Sequence, residues 1–171
     1  MWHPGEPGRR ATRLQVYDYS APGAYFLTYC TCRRIPFLSD ITAGRVHLTY
    51  AGRIVAGTWR AVLTERPDLE LLAGVIMPDH VHALLTLTSG LMSRKSICRL
   101  IGAVKSRSAA AINDVDGMPG RRVWQRSFHD RVLRSPAAIE RCRTYIANNP
   151  LRWSATHADS HPRYPGRMDS P

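Results

Sequence analysis

The sequence contains no apolar run of the ~18 to 20 residues that a membrane-spanning helix requires. Its N-terminal stretch, MWHPGEPGRRATR, is polar and proline-rich and lacks the apolar segment of a secretory signal peptide. These two absences argue against a membrane protein and against export. We therefore expect a cytoplasmic protein with no membrane partner.

Closely paired cysteines are also missing. Cys30, Cys32, Cys98 and Cys142 form no CxxC pair, and the CxC spacing of the first two is poorly suited to a disulfide between neighbours. A zinc-structured domain is disfavoured, because it needs paired ligands at regular spacing. The pattern instead predicts free thiols in a reducing compartment.

Acidic residues are scarce relative to basic ones. The chain has 13 Asp plus Glu against 24 Lys plus Arg, which gives a formal net charge of +11. A field of this sign attracts polyanions, and each phosphate that is neutralised releases counterions, so nucleic acid is the first partner to consider, ahead of an anionic membrane. A charge that serves only solubility is the alternative interpretation.

The 171 residues suffice for one domain with a substantial core, but not for two. Proline, glycine and polar residues dominate both ends of the chain. We predict a flexible basic arm over residues 1–20, a folded domain over residues 21–153 and a disordered tail over residues 154–171.

Within the domain, the hydrophobic periodicity predicts the element order β-α-β-β-α-β-α. The predicted elements are a strand over residues 24–32, a helix within residues 40–65, two strands joined at Pro78-Asp79, a helix over residues 93–113, a strand over residues 121–128 and a helix from Ser135-Pro136 that ends by Asn149. The first six elements are those of an α+β, ferredoxin-like (split βαβ) fold, with an antiparallel sheet and two helices on one face.

Two histidines interrupt the apolar strand HVHALLTLT. Because side chains alternate along a strand, His80 and His82 lie on one face, whereas Val81 and Ala83 lie on the face expected beneath the helices. Neighbouring imidazoles at this spacing can hold one cation between them. Two strand histidines without a function remain the alternative, because an HxH triplet is a weak signal by itself.

The last predicted helix carries a tyrosine beside its buried stripe. Tyr145 lies off that stripe, with Arg141 one turn before it and Asn149 one turn after it on the same side. The stripe consists of Ile139, Cys142 and Ile146. A tyrosine at such a position is commonly a packing residue whose hydroxyl reaches water, which is the alternative interpretation.

Four segments taken together resemble one family. They are RLQVYDYSAPGAYFLTYCT, VIMPDHVHALL, IGAVKSRSAAAIN, and VWQRSFHDRVLRS running into YIANNPLRW. In this order they are similar to the single-tyrosine HUH transposases, and most similar to the REP-associated tyrosine transposases of bacteria. The resemblance spans about residues 9–153. One departure is Asp79, where members commonly have asparagine; we do not assign it as a metal ligand.

The resemblance implies an enzyme that cleaves and rejoins single-stranded DNA. Tyr145 would be the nucleophile and would form a covalent 5′-phosphotyrosine, whereas His80, His82 and Asn149 would hold a divalent metal, Mg²⁺ or Mn²⁺. The implied substrate is an imperfect palindrome that folds into a hairpin, and the implied process is DNA transposition or repeat mobilisation. An unactivated tyrosine, with a pKa of ~10, is a weak nucleophile, so the site must favour the phenolate.

Basic and aromatic residues provide candidates for DNA contact. They are Arg9, Arg10, Arg13, Lys95, Arg99, Lys105, Arg107, Arg121, Arg122, Trp124, Gln125 and Arg141. For each basic residue a solvated surface is an equal alternative, and Trp124 is equally suited to the core.

Two other functions are less compatible with the sequence than the enzyme. A catalytically silent regulator that binds DNA palindromes is disfavoured by the intact histidines and tyrosine. An RNA-binding domain is disfavoured because the strand that carries the histidines offers no aromatic side chain for base stacking on that face.

A monomer is favoured over a homodimer. The DNA sequence that is read, the use of the tyrosine in cis or in trans, and the roles of His129 and Asp130 stay open.

Overall fold

The computed structural model describes residues 21–88 and 97–157 of the chain. In chain order, these residues form β1 (Gly23–Cys30), β2 (Ser39–Thr42), β3 (Arg45–Leu48), α1 (Tyr50–Thr64), β4 (Leu69–Ile76), β5 (His80–Leu87), α2 (Ile97–Asp116), β6 (His129–Leu133) and α3 (Pro136–Thr156). Within these ranges, no helix has the length and apolar character needed to cross a bilayer.

Four of the strands form an antiparallel sheet in the order β4-β5-β1-β6. Strand β1 lies at the centre, and its Thr28 stands opposite both His82 of β5 and His129 of β6. Helices α1 and α2 connect the split βαβ units of this sheet. The ferredoxin-like arrangement expected from the sequence is therefore confirmed.

The two faces of the sheet are buried by different helices. Val81, Ala83, Leu85 and Leu87 of β5 enter the main core with buried residues of α1 and α2. The opposite face packs against α3, in a smaller cluster formed by Ala24, Leu84, Leu133, Cys142 and Ile146. The predicted alternation along β5 is correct, and it turns the histidine face towards α3.

The first helix begins later than the periodicity suggested. Residues 39–48 form the β2–β3 hairpin, whose turn places Ala43 and Gly44 at positive φ, 49° and 72°. The helix starts at Tyr50 because Thr49 acts as its N-cap, with its side-chain oxygen accepting a hydrogen bond from the Gly52 amide at 3.2 Å.

The strand predicted over residues 121–128 is wrong. Strand β6 lies further on, at His129–Leu133, and the earlier segment makes a single bridge between Thr31 and Trp124. Trp124 is buried, donates a hydrogen bond from Nε1 to Ser108 Oγ at 3.1 Å and lies edge-on to Tyr29. Packing of this indole, rather than strand pairing, holds the segment to the core.

Helix α3 begins as expected but continues further. Ser135 caps it, with its hydroxyl accepting a hydrogen bond from the Ala138 amide. The helix does not end at Asn149, because it continues through the buried Pro150 to Thr156. Asn149 is therefore helical, and residues 154–156 of the predicted tail belong to the last turn. Helix α2 likewise continues beyond its predicted end at residue 113, to Asp116, and residues 93–96 of that prediction lie outside the described residues.

Two glycines of α1 give a matched test of this packing. A Cβ at Gly52 would lie 2.0 Å from the backbone oxygen of Leu38, whereas a Cβ at Gly57 would meet nothing within 4 Å. Gly52→Ala should destabilise the protein strongly or prevent folding. Gly57→Ala should raise the free energy of unfolding by about 0.5–1 kcal/mol through helix propensity. Urea unfolding of both variants measures the difference, and equal stabilisation by both would contradict the packing.

Candidate active site

His80 and His82 are the first and third residues of β5, and their rings lie side by side with centroids 4.6 Å apart. Both residues are buried beneath α3. Burial, together with the nearby His80 and Arg34, lowers the pKa of His82 from 6.5 to about 3. The imidazole of His82 is therefore neutral at ordinary pH, which is the form that can bind a metal ion.

A neutral hydroxyl orients His82. The Oγ1 atom of Thr28, opposite it on β1, lies 2.7 Å from the Nδ1 atom of the ring. The other ring nitrogen, Nε2, is buried and makes no hydrogen bond with the described residues. A buried polar atom without a partner is unusual in a folded protein, so Nε2 is a candidate ligand atom.

An anionic group orients His80. The Oδ1 atom of Asp79, in the β4–β5 turn, lies 2.5 Å from His80 Nδ1, and its Oδ2 atom lies 3.3 Å from Arg34 Nε. The Asp79 backbone oxygen accepts hydrogen bonds from the amide and hydroxyl of Thr31. Because a carboxylate only accepts, the Nδ1 atom of His80 carries the proton of this contact, and in the neutral form of the ring the Nε2 atom keeps a lone pair.

Helix α3 brings Tyr145 to this pair. Its ring centroid lies 5.3 Å from that of His82, and the side chain is exposed at the edge of the helix. Phe26 supports both rings, stacked on His82 at 5.2 Å and edge-on to Tyr145 at 5.9 Å. The guanidinium of Arg152 lies 5.6 Å from the centre of the tyrosine ring. The tyrosine hydroxyl is therefore accessible to a ligand beside the imidazoles.

These side chains line a cleft of about 450 Å³. Its walls are formed by Phe26, Thr28, Arg34, His80, His82, His129, Tyr145, Asn149, Arg152, Trp153 and Thr156. A second cleft, of about 440 Å³, shares Phe26, Thr28, His129 and Tyr145 with the first. The tyrosine therefore lies where the two clefts meet, and a long ligand bound at its hydroxyl would extend into both.

The cleft also contains the side chain proposed as a third metal ligand. Asn149 is buried in α3, one turn beyond Tyr145, and lines the cleft with both histidines. Nowhere in residues 21–88 or 97–157 do three His, Cys, Asp or Glu side chains form a group that could hold a metal. The donors available here are therefore two imidazole nitrogens and one amide oxygen.

Several predicted DNA-contact residues have structural partners. Lys105 donates hydrogen bonds to the carbonyl oxygens of Gln125, Arg126 and Ser127 and so holds this loop against α2. Arg107 pairs with Glu65 on the surface at 2.6 Å. Arg121 contacts Asn113 and Asp116. These residues stabilise loops and helix ends near the sheet and are not part of either cleft.

The other residues predicted to contact DNA lie in different parts of the structure. Arg141 lines the second cleft, together with His129, Asp130 and Arg131. Arg99 and Arg122 are exposed away from both clefts, and Trp124 belongs to the core. Arg9, Arg10, Arg13 and Lys95 lie outside the described residues.

Sequence reasoning missed several residues that line the clefts. They are Phe26, Thr28, Arg34, Arg131, Arg152 and Trp153. Alternation along β1 could have identified Phe26 and Thr28, because they share a face with the histidines once the strand pairing is known. Arg152 and Trp153 were missed because the helix was expected to end before Pro150.

Comparison with known proteins gives matches of three kinds. A model of a family described as IS200-like transposases matches residues 45–149. An uncharacterised protein of Haemophilus influenzae is 26% identical over 161 residues, covering 85% of this chain and 89% of its own. The solved structure of a REP-associated tyrosine transposase bound to a REP hairpin aligns with a TM-score of 0.59 and 22% identity, covering 76% of this chain and 67% of that one. The last likeness shows a shared fold.

The lowered pKa of His82 predicts a pH dependence of stability. The unfolded chain takes up a proton at His82 as the pH falls through about 6.5, whereas the folded chain does so only near 3. The contribution of this residue to stability is therefore complete above about 6.5 and is lost as the pH falls towards 3. Urea unfolding in a chelating buffer should show the stability difference between the parent protein and His82→Asn shrinking over this range.

The matched control is His47→Asn, which replaces an exposed histidine of β3. The change of the stability difference with pH should be larger for His82→Asn than for His47→Asn, because the imidazole of His82 is buried and that of His47 is exposed. A pH-independent difference for His82→Asn would contradict the assignment of a neutral, buried imidazole.

Proposed function

The chain belongs to the IS200-like transposase family, whose model matches more than half of it, and from this premise we propose that it cleaves and rejoins single-stranded DNA through a covalent bond to Tyr145. The observation that carries the proposal is the accessible tyrosine ring 5.3 Å from His82, at the mouth of the cleft that both histidines line. A phenol beside a cation site is an arrangement suited to attack on a phosphodiester.

A divalent cation, Mg²⁺ or Mn²⁺, fits the donors of the cleft. It would be held by the Nε2 atom of His82, which has no partner among the described residues, by the Nε2 atom of a neutral His80 and by the buried amide of Asn149. When bound, the cation would draw negative charge from the non-bridging oxygens of a phosphate. Thr28 and Asp79 would fix the orientation of the two imidazoles, as partners of ligand histidines commonly do.

In the proposed reaction, the hydroxyl oxygen of Tyr145 attacks the phosphorus of one phosphodiester. The bond from tyrosine oxygen to phosphorus forms and the bond from phosphorus to the 3′ oxygen breaks. The phenol loses its proton, and the leaving 3′ oxygen gains one to become a hydroxyl. The 5′-phosphotyrosine conserves the ester linkage, so a 3′-hydroxyl can attack it in the reverse reaction and rejoin the strand.

We propose a hairpin formed by an imperfect DNA palindrome as the substrate. Support comes from the structurally similar protein, which was solved with a REP hairpin, and from the net charge of +11 on this chain. A phosphate backbone neutralises such a charge and releases counterions. The same likeness supports a place for this chain in the REP-associated branch of the family.

The tyrosine and both histidines of the site come from one chain. Helix α3 packs its Cys142 and Ile146 onto the sheet that carries the histidines, within the same molecule. We therefore propose that the monomer acts in cis.

The alternative function is a catalytically silent protein that binds DNA palindromes. In such a protein, neither Tyr145 nor the imidazoles would affect the DNA product.

Substitution of the tyrosine tests the nucleophile. Tyr145→Phe removes only the hydroxyl, so hairpin binding should persist while the covalent protein–DNA adduct disappears. A labelled oligonucleotide analysed on a denaturing gel measures the adduct. Tyr50→Phe, which removes the hydroxyl that contacts Asp116 away from the clefts, is the control and should retain the adduct. Normal adduct yield from Tyr145→Phe would exclude this nucleophile.

Substitution of the histidines tests the cation. His80→Ala and His82→Ala should each reduce Mn²⁺ affinity by more than about tenfold, because a ligand is lost. Calorimetric titration of Mn²⁺ in the absence of DNA measures this directly, with His47→Ala as the control. Cleavage by the parent protein should also stop in excess chelator. Undiminished cleavage in chelator, or unchanged Mn²⁺ affinity in both variants, would contradict the metal site.

A further inference from the structure

Arg34, which has no role in the proposed reaction so far, lies beside the site in an unusual backbone conformation. Arg33 and Arg34 follow β1 with φ values of 56° and 59°, in the left-handed region that residues other than glycine seldom adopt. The Arg34 amide donates to the Thr31 carbonyl oxygen, and the Thr31 hydroxyl donates to the Ile35 carbonyl oxygen at 2.8 Å. These bonds hold the turn in its strained form, and such strain is concentrated at functional sites.

The turn directs the Arg34 side chain along the first cleft. Arg34 lines this cleft with His80, His82 and Tyr145, whereas Arg33 does not. Its Nε atom lies 3.3 Å from Asp79 Oδ2 in an ion pair, and its Nη1 atom donates a hydrogen bond to Cys30 Sγ. A guanidinium has five N–H donors, and the Arg34 side chain is 54% exposed. Within the part of the chain that the structure describes, N–H donors of Arg34 are therefore left for a ligand in the cleft.

Asp79 links this arginine to the metal site. Its carboxylate is buried, with one oxygen on His80 Nδ1 and the other on Arg34 Nε. One rigidly held group therefore fixes two side chains at the same time. The imidazole of His80 would face the cation. The remaining N–H groups of Arg34 would face a phosphate that is bound beside the cation.

We propose that Arg34 binds a phosphate oxygen of the DNA strand in the cleft and that Asp79 is the positioning residue that holds Arg34 and His80 in register. This inference rests on the proposed function, because it names the phosphate-binding partner at the same site. A guanidinium forms charge-assisted hydrogen bonds to phosphate oxygens that a neutral side chain cannot replace. Arg34 also balances the negative charge of Asp79 while DNA is absent.

The arrangement predicts opposite effects on two ligands. Arg34→Gln removes a positive charge from the cleft, so DNA affinity should fall while Mn²⁺ affinity without DNA stays equal or rises. Asp79→Asn keeps a hydrogen-bond acceptor but removes the charge that holds both neighbours, so both affinities should fall. If Arg34 merely supported the fold, Arg34→Gln would lower the two affinities together. If Asp79 merely supported the fold, its loss of DNA affinity would add to that of Arg34→Gln in the double variant, whereas a residue that acts through Arg34 gives less than the sum.

The experiment uses the full chain with Tyr145→Phe as the background, so that no strand is cut. Fluorescence anisotropy measures the binding of a labelled hairpin oligonucleotide, derived from inverted repeats beside the gene, in chelator and over a range of salt concentrations. Arg34→Gln should weaken binding about tenfold and reduce the slope of log affinity against log salt by about 0.7 to 1. Arg34→Lys should recover part of the affinity but not all of it.

Arg33→Gln is the matched control, because it removes the same charge from the neighbouring exposed residue of the same turn. It should weaken DNA binding less than twofold. Equal losses for Arg33→Gln and Arg34→Gln, or a fall in Mn²⁺ affinity in Arg34→Gln, would overturn the inference. If Asp79→Asn fails to fold, the two arginine variants still decide the question. Failure of the background protein to bind any hairpin would overturn the proposed function and with it the role of Arg34.

Discussion

The packing of α3 across the sheet is the interaction on which the candidate site depends. Cys142 and Ile146 of this helix bury their side chains against Leu84 and Leu133. Burial of an isoleucine side chain is worth about 1.5–3 kcal/mol, and the contacts of both residues fix the rotation of the helix about its axis. That rotation leaves Tyr145 beside the imidazoles rather than in the core or in open solvent.

The two histidines share a face but differ in how they are held. The ring of His82 is oriented by a neutral hydroxyl and buried enough to lose its positive charge at ordinary pH, whereas that of His80 is oriented by a carboxylate. The carboxylate is itself balanced by Arg34. The site therefore combines a nearly apolar half and an ionic half, and the ionic half includes the exposed side chain of Arg34.

The sequence predicted the parts that local periodicity controls. Alternation along β5 and the stripe of α3 placed His80, His82 and Tyr145 on the correct faces. The β2–β3 hairpin could not be predicted, because the apolar residues of the hairpin also fit a helical spacing. The continuation of α3 beyond Pro150 could not be predicted either, because burial there overrides the tendency of proline to end helices. Arg34 was not predictable at all, since its direction depends on a left-handed turn and on an ion pair with Asp79, which lies far along the chain.

Helix α3 presents two different surfaces from one short stretch. Cys142, Ile146 and Pro150 are buried, whereas Tyr145, Arg152 and Trp153 line the cleft. Insertion of one residue between Ser135 and Cys142 would change the phase of everything that follows by about 100°, exchanging apolar and reactive side chains between the two surfaces. In descendants of this sequence, length changes should therefore be rare upstream of the tyrosine and tolerated beyond the last turn of the helix.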